Sequence, residues 1–197
     1  MSRFRRTLIT GLIVGLSAFA PTLHASEVNA DISRAADFTL LDQQGKAFNL
    51  HYHGQRPAVL LMAHVAGSDY VRDSLDSLLK DIAPQDHGMT LALINAEPGV
   101  SRQTLMDVAS ANAIESAILQ DDAGLVSATL GLRYAGETLL INPQRWEIVY
   151  RGPALDESGN AVHPALTTAV QALLAGQSPA LQRADMTVAQ ALPVHET

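Results

Sequence analysis

The chain has 197 residues, with 13 Lys and Arg against 20 Asp and Glu, a formal net charge of −7 and no cysteine at any position. The acidic balance disfavours nucleic acid and anionic lipid as partners. The absence of cysteine excludes more. Thiol–disulfide exchange and thiol peroxidase chemistry both need a thiolate that passes through a disulfide or sulfenic acid, and a methionine thioether cannot replace it.

Arg3, Arg5 and Arg6 precede an apolar run from Leu8 to Ala20, and the polar, small-residue stretch Pro21 to Ser26 follows. This pattern predicts a secretory signal peptide over residues 1–25, cleaved after Ala25, with Val28-Asn29-Ala30 offering a second cleavage site. The apolar run is shorter than the ~20 residues of a spanning helix and is interrupted by Gly11, Gly15 and Ser17, so no membrane anchor is expected after cleavage. Arg5-Arg6 lacks the usual twin-arginine context, and export by the general pathway into a bacterial periplasm is the expectation. Cleavage removes three arginines and no acid, leaving 10 cationic against 20 acidic side chains, a net charge of −10. An oxidising compartment permits disulfides. A mature chain of about 170 residues that uses none is expected to hold one domain together by its hydrophobic core.

Residues 26–34 read as an N-terminal arm. Phe38 to Leu41 and Ala47 to Leu50 read as two short strands joined by the turn Asp42-Gln43-Gln44-Gly45-Lys46, a hairpin. Ala58 to Ala63 and Met89 to Ile94 are continuous apolar runs, as expected for parallel strands covered on both faces. Between them Val71, Leu75, Leu78, Leu79 and Ile82 share one face of a helix, with Ser68 or Asp69 placed to cap its start. Ser101 opens a second helix through about Ala111, with Leu105, Val108 and Ala109 inward. Asp121 or Asp122 opens a short one ending near Gly131. Thr138 to Ile141 and Trp146 to Arg151 read as an antiparallel hairpin across the turn Asn142-Pro143-Gln144-Arg145. Pro164 then starts a last helix whose Leu166, Val170, Leu173 and Leu174 form one stripe, and Gly176 ends it. The tail 177–197 carries Pro179 and Pro193 without a sustained period and is expected to be extended or partly disordered.

Strands alternating with helices predict an α/β fold, a central mixed sheet flanked by helices with an N-terminal hairpin extension. Ala36-Asp37-Phe38-Thr39-Leu40 followed by Asp42-Gln43-Gln44-Gly45-Lys46 resembles the opening D-F-x-L and D-x-x-G-K motifs of the thioredoxin-like redoxin superfamily, in its branch of alkyl hydroperoxide reductase, thiol-specific antioxidant and thiol–disulfide reductase domains. Leu139-Leu140-Ile141-Asn142-Pro143 and Ile148-Val149-Tyr150-Arg151-Gly152 are similar to that family's closing hairpin. The resemblance spans residues 35–176 and implies a thioredoxin-like fold.

The departures fall where the family does its chemistry. After the central strand the family places a cysteine at the helix start, whereas this chain has His64-Val65-Ala66-Gly67-Ser68-Asp69-Tyr70-Val71. Before the closing hairpin the family usually has a cis-proline, whereas Ala135-Gly136-Glu137-Thr138 stands here. A non-proline cis bond costs about 2.5–4 kcal/mol, so a trans peptide and a reshaped loop are expected. The degenerate redox positions are therefore Gly67, Ser68, Asp69, Tyr70, Gly136 and Glu137. An enzymatic reading would make His64 a base oriented by Asp69 or Glu137. Against it, Ser68 and Asp69 are ordinary helix-start residues, and a histidine leaving a strand commonly bonds to nearby backbone.

His51 and His53 lie two apart and would project the same way from a strand, although His51-Tyr52-His53-Gly54 reads more simply as the exposed turn that precedes the central strand. With His64, and with Met62, His87 and Met89 as further donors, they are the candidate ligands for copper or zinc. Met62 and Met89 equally fit the core. No cofactor is otherwise expected, and the chain lacks a P-loop, a G-x-G-x-x-G after a strand, H-E-x-x-H and a haem or calcium motif. The sequence thus predicts an exported thioredoxin-fold binding protein, an assembly or adaptor factor whose partner is another periplasmic or membrane-associated protein. A histidine/methionine copper or zinc protein and a His64–carboxylate enzyme are the alternatives, and an oxidoreductase or antioxidant role would describe ancestry only.

Overall fold

The computed structural model describes residues 32–186 and Leu192. The expected signal peptide, most of the arm and most of the end of the tail lie outside them. The strands are β1 Thr39–Asp42, β2 Ala47–Asn49, β3 Val59–His64, β4 Thr90–Asn95, β5 Ala117–Gln120, β6 Glu137–Asn142, β7 Glu147–Pro153 and β8 Gln182–Arg183. The helices are α1 Asp69–Ser77, α2 Arg102–Ala111, α3 Leu125–Leu130 and α4 Pro164–Leu174. The strands form one mixed sheet in the order β2-β1-β5-β4-β3-β6-β7-β8.

Continuous apolar runs fill the middle of this sheet, where helices cover both faces. All six residues of β3 are buried. β3 pairs in parallel with β4, from Val59 opposite Thr90 to His64 opposite Asn95, and antiparallel with β6, from Val59 opposite Ile141 to Met62 opposite Thr138. Met62 is wholly buried and Met89 nearly so, which places both in the core. β5 is a strand that the hydrophobic pattern did not predict. Only Ile118 and Leu119 of its four residues are fully covered, too short a run to show a period.

Ser68 caps α1, its hydroxyl accepting from Val71 N at 3.4 Å, and Val71 and Leu75 face the sheet. The helix does not continue as α-helix to Ile82. Leu78–Ile82 forms a wider π turn, closed by Ala83 N donating to Leu78 O at 3.1 Å. The extra residue per turn keeps Leu78 and Ile82 buried but swings Leu79 outward to 37% exposure, so Leu79 leaves the predicted stripe. Pro84 then blocks continuation. Ser101 caps α2 as expected, accepting from Thr104 N at 3.1 Å. Leu105 and Ala109 are buried and Val108 is half-buried.

α3 begins at Leu125 rather than beside the acidic pair. Asp121 still caps it from a distance, because a turn through Gly124 returns its carboxylate to Ser127 N at 2.7 Å and Val126 N at 3.3 Å. β7 begins one residue later than expected. Trp146 takes a left-handed φ of 58° and stays outside the strand. In α4, Leu166, Val170 and Leu173 are buried, but Ala169 completes the stripe and Leu174 is exposed at its edge.

Both ends of the described chain cover the outer edge of β7. Ser33 O accepts from Ile148 N, and Trp146 O accepts from Ala35 N, each at 2.8 Å. β8 pairs in parallel with β7, Tyr150 opposite Gln182, so part of the tail adds a short strand to an edge that would otherwise be open. No helix among the described residues is long and apolar enough to cross a membrane.

Candidate functional site

Parallel strands deliver their last residues to one end of the sheet, where α/β proteins commonly bind ligands. Here β3 and β4 end on His64 and Asn95, which face one another across the ladder. His64 is 2% exposed. The Asn95 amide nitrogen lies 2.7 Å from Glu97 Oε2, 3.2 Å from His64 Nδ1 and 3.3 Å from the His64 carbonyl. Asn95 Oδ1 accepts from Glu97 N at 3.3 Å, which fixes the amide orientation. An amide nitrogen only donates, so Nδ1 is the accepting nitrogen and the neutral ring carries its proton on Nε2. Burial lowers the His64 pKa to about 4, against the opposing charge of Glu97. His64 is therefore neutral at physiological pH, and its basic nitrogen is occupied by Asn95. It can donate a hydrogen bond through Nε2 but is not arranged as a general base.

Glu97 also accepts from Ala66 N at 2.6 Å and so ties the turn after β3 to the end of β4. Asn95 and Glu97 were not singled out in the sequence. The available signal was their position at the carboxyl end of the second parallel strand, beside the first strand's histidine. Between His64, Ser68, Arg72, Leu75, Val108 and Ile114 lies a cavity of about 50 Å³. That is room for one or two waters, far below the ~300–1,000 Å³ of small-molecule sites.

The degenerate redox positions have structural occupations. Gly67 makes the turn at φ 75°, Ser68 caps α1, and exposed Asp69 pairs with Arg72 at 2.7 Å on the same helix. Half-buried Tyr70 lies over Gly136. A Cβ added at Gly136 would stand 2.3 Å from Tyr70 Cε1 and 2.6 Å from Cδ1. Burial pushes the Tyr70 phenol up, opposed by Ser74 and the Leu155 backbone, so it remains a neutral hydroxyl. Gly136 adopts φ 76°, and the described peptide bonds are all trans.

Glu137 does not orient His64. Its Oε1 pairs with half-buried Arg151 at 2.9 Å, and its Oε2 accepts from Arg133 N at 2.7 Å and Tyr134 N at 3.4 Å. Arg151 in turn donates to the Gly131 and Leu130 carbonyls at the end of α3. The pair therefore fastens the loop after α3 to the closing hairpin. Neither carboxylate proposed for His64 is its partner; the charge beside it belongs to Glu97.

The three histidine candidates for metal have separate surroundings. His51 and His53 lie in a 3-10 turn rather than on a strand, which removes the alternation that would align them. His51 stacks on Trp146 with ring centroids 4.1 Å apart and approaches Asp37 at 3.6 Å. His53 stacks on Phe48 at 4.6 Å and has Nδ1 2.9 Å from Thr90 Oγ1. Burial, then Arg56 and Lys46, lower its pKa. His64 is enclosed with Asn95. Among the described residues, no group of three His, Asp or Glu side chains could hold a metal ion.

No family model and no curated protein matches the chain. Solved structures do. A hypothetical protein from Sinorhizobium meliloti is 24% identical with a TM-score of 0.68, over 81% of this chain and 92% of that one. A thiol-disulfide oxidoreductase from Bacteroides fragilis is 16% identical with a TM-score of 0.55, over 71% of this chain and 98% of that one. A peroxidoxin from Mycobacterium tuberculosis is 19% identical with a TM-score of 0.55, over 74% and 96%. These likenesses show the fold, and the sheet order agrees with them: the chain has a thioredoxin-like fold, with no cysteine at any position.

Proposed function

We propose that the mature chain is an exported, non-redox binding protein of the periplasm, an assembly or adaptor factor for a secreted or membrane-bound oxidoreductase system. The observation that carries this reading is the Tyr70 ring seated on Gly136, where the resemblance places the cis-proline loop opposite the redox helix. With no thiol in the chain, this contact turns the segment that would face a substrate disulfide into packed structure. A rigid frame that has given up its reactive groove is suited to presenting surfaces to another protein. The occupied basic nitrogen of His64 speaks against a His64–carboxylate enzyme. Among the described residues His51, His53 and His64 have separate partners, which favours the binding reading over the copper or zinc one. The test is turnover of insulin disulfides and of hydrogen peroxide by the purified mature protein, coupled to thioredoxin or glutathione systems. The expected rate is that of a boiled control, and turnover well above it would overturn the proposal.

A further inference from the structure

The outer edge of β7 is covered in two short pieces. Ser33 and Ala35 bond to its start, at Ile148 and Trp146, and β8 bonds to its second half, at Tyr150 and Arg151. The second cover is thin. β8 is two residues long, and one further bond runs from Ala184 N to Arg151 O at 3.0 Å. Leu181 and Ala184 pack against the core, yet none of residues 174–186 is fully buried. The strand beneath is held differently, because Ile148, Val149 and Tyr150 are buried. A segment with few buried contacts opens locally at far lower cost than the strand it lies on, and opening here leaves a bare sheet edge.

That edge is shaped for a second backbone. Gly152 lies within β7, and a Cβ there would stand 2.8 Å from Ala184 O and 2.9 Å from Ala184 Cβ. Glycine in a strand often marks such a close approach, and here the residue opposite it is itself small. Main-chain bonds along a sheet edge supply affinity, and side-chain notches supply selectivity. We propose that the Tyr150–Gly152 edge receives an extended segment of a partner protein, added parallel to β7 in place of β8, and that the chain's own tail closes the edge until the partner arrives. The incoming segment carries Ala or Gly at the notch and an aliphatic residue three positions before it, as Ala184 and Leu181 stand in the tail. The inference rests on the reading of the chain as a binding protein and supplies that contact's location and chemistry.

Two measurements on the full mature protein test this. In hydrogen exchange the Ala184 amide is expected to exchange at least roughly a hundredfold faster than that of Leu61 in β3, with the fold intact. Equal protection would overturn the proposal, because the tail would then leave only when the whole domain unfolds. The second measurement uses Ala184→Pro, which removes the donor to Arg151 and frees the edge, with a blocked peptide of residues 178–186 as the probe. Saturable amide shifts centred on residues 150–153 are expected, with binding about tenfold or more tighter than to the wild-type chain. The same peptide with proline in place of its alanine at position 184 should bind about tenfold or more weakly. Equal binding to variant and wild type, equal binding of the two peptides, no binding or shifts elsewhere would overturn the assignment. A concentration-dependent wild-type dimer that Ala184→Pro abolishes would also overturn it, making a second copy of this chain the occupant. These outcomes leave the redox assay untouched, so failure of the edge site and failure of the proposed function are separable.

Discussion

Replacing Gly136 with alanine imposes two costs that another glycine separates. Gly136 and Gly67 have nearly the same backbone, φ 76° and 75°, and an alanine at either costs about 1 kcal/mol for a left-handed conformation. At Gly67 the new methyl meets nothing within 4 Å, whereas at Gly136 it would stand 2.3 Å from the Tyr70 ring. The ring must move, and overpacking of this kind costs about 1–3 kcal/mol more. Gly136→Ala is therefore expected to lose about 2–4 kcal/mol and Gly67→Ala about 1 kcal/mol. In a domain of this size that separates their melting temperatures by roughly 2–12 °C. Urea unfolding followed by circular dichroism provides the comparison. Tyr70→Ala combined with Gly136→Ala should recover the steric part, a coupling of about 1–3 kcal/mol. Equal losses in the two single variants, or no coupling in the double, would refute the placement of Tyr70 that carries the functional reading.

Glu137→Gln leaves the Arg151 side chain, only 11% exposed, without its counter-charge and should cost about 3 kcal/mol in urea, while leaving the His64 ring signals in place. His64 makes stability depend on pH. Above about pH 6.5 the ring is neutral in both folded and unfolded chains; as pH falls toward 4 the unfolded chain binds a proton that the folded one refuses. Stability should therefore fall over that interval by at most about 3 kcal/mol and level off below it, and His64→Gln should flatten the slope seen by urea unfolding. Ala83 closes the π turn at φ 46°, so Ala83→Gly should raise the unfolding free energy read from urea titration by about 0.5–1 kcal/mol.

The sheet was legible where burial is double-sided, because Val59 to Ala63 and Ala92 to Ile94 need apolar residues on both faces. The helix starts were legible at Ser68 and Ser101, whose hydroxyls act within three residues. What the sequence hid depends on partners far along the chain. Glu137 suggests a catalytic carboxylate until Arg151 is found against it, and Tyr70 lies 66 positions from the Gly136 it covers. Asn95 and Glu97 look like ordinary residues after a strand, and their hold on His64 exists only once two parallel strands end side by side. Leu79 fits a 3.6-residue period and faces outward because the helix widens by one residue at that point.

The most direct measurement is native mass spectrometry of the untagged mature protein, isolated gently from its own periplasm, with metal analysis of the same sample. A discrete stoichiometric complex with a second protein, free of bound metal, is the expected result. A bare monomer, or a monomer carrying one equivalent of copper or zinc, would contradict a protein that works by binding a partner.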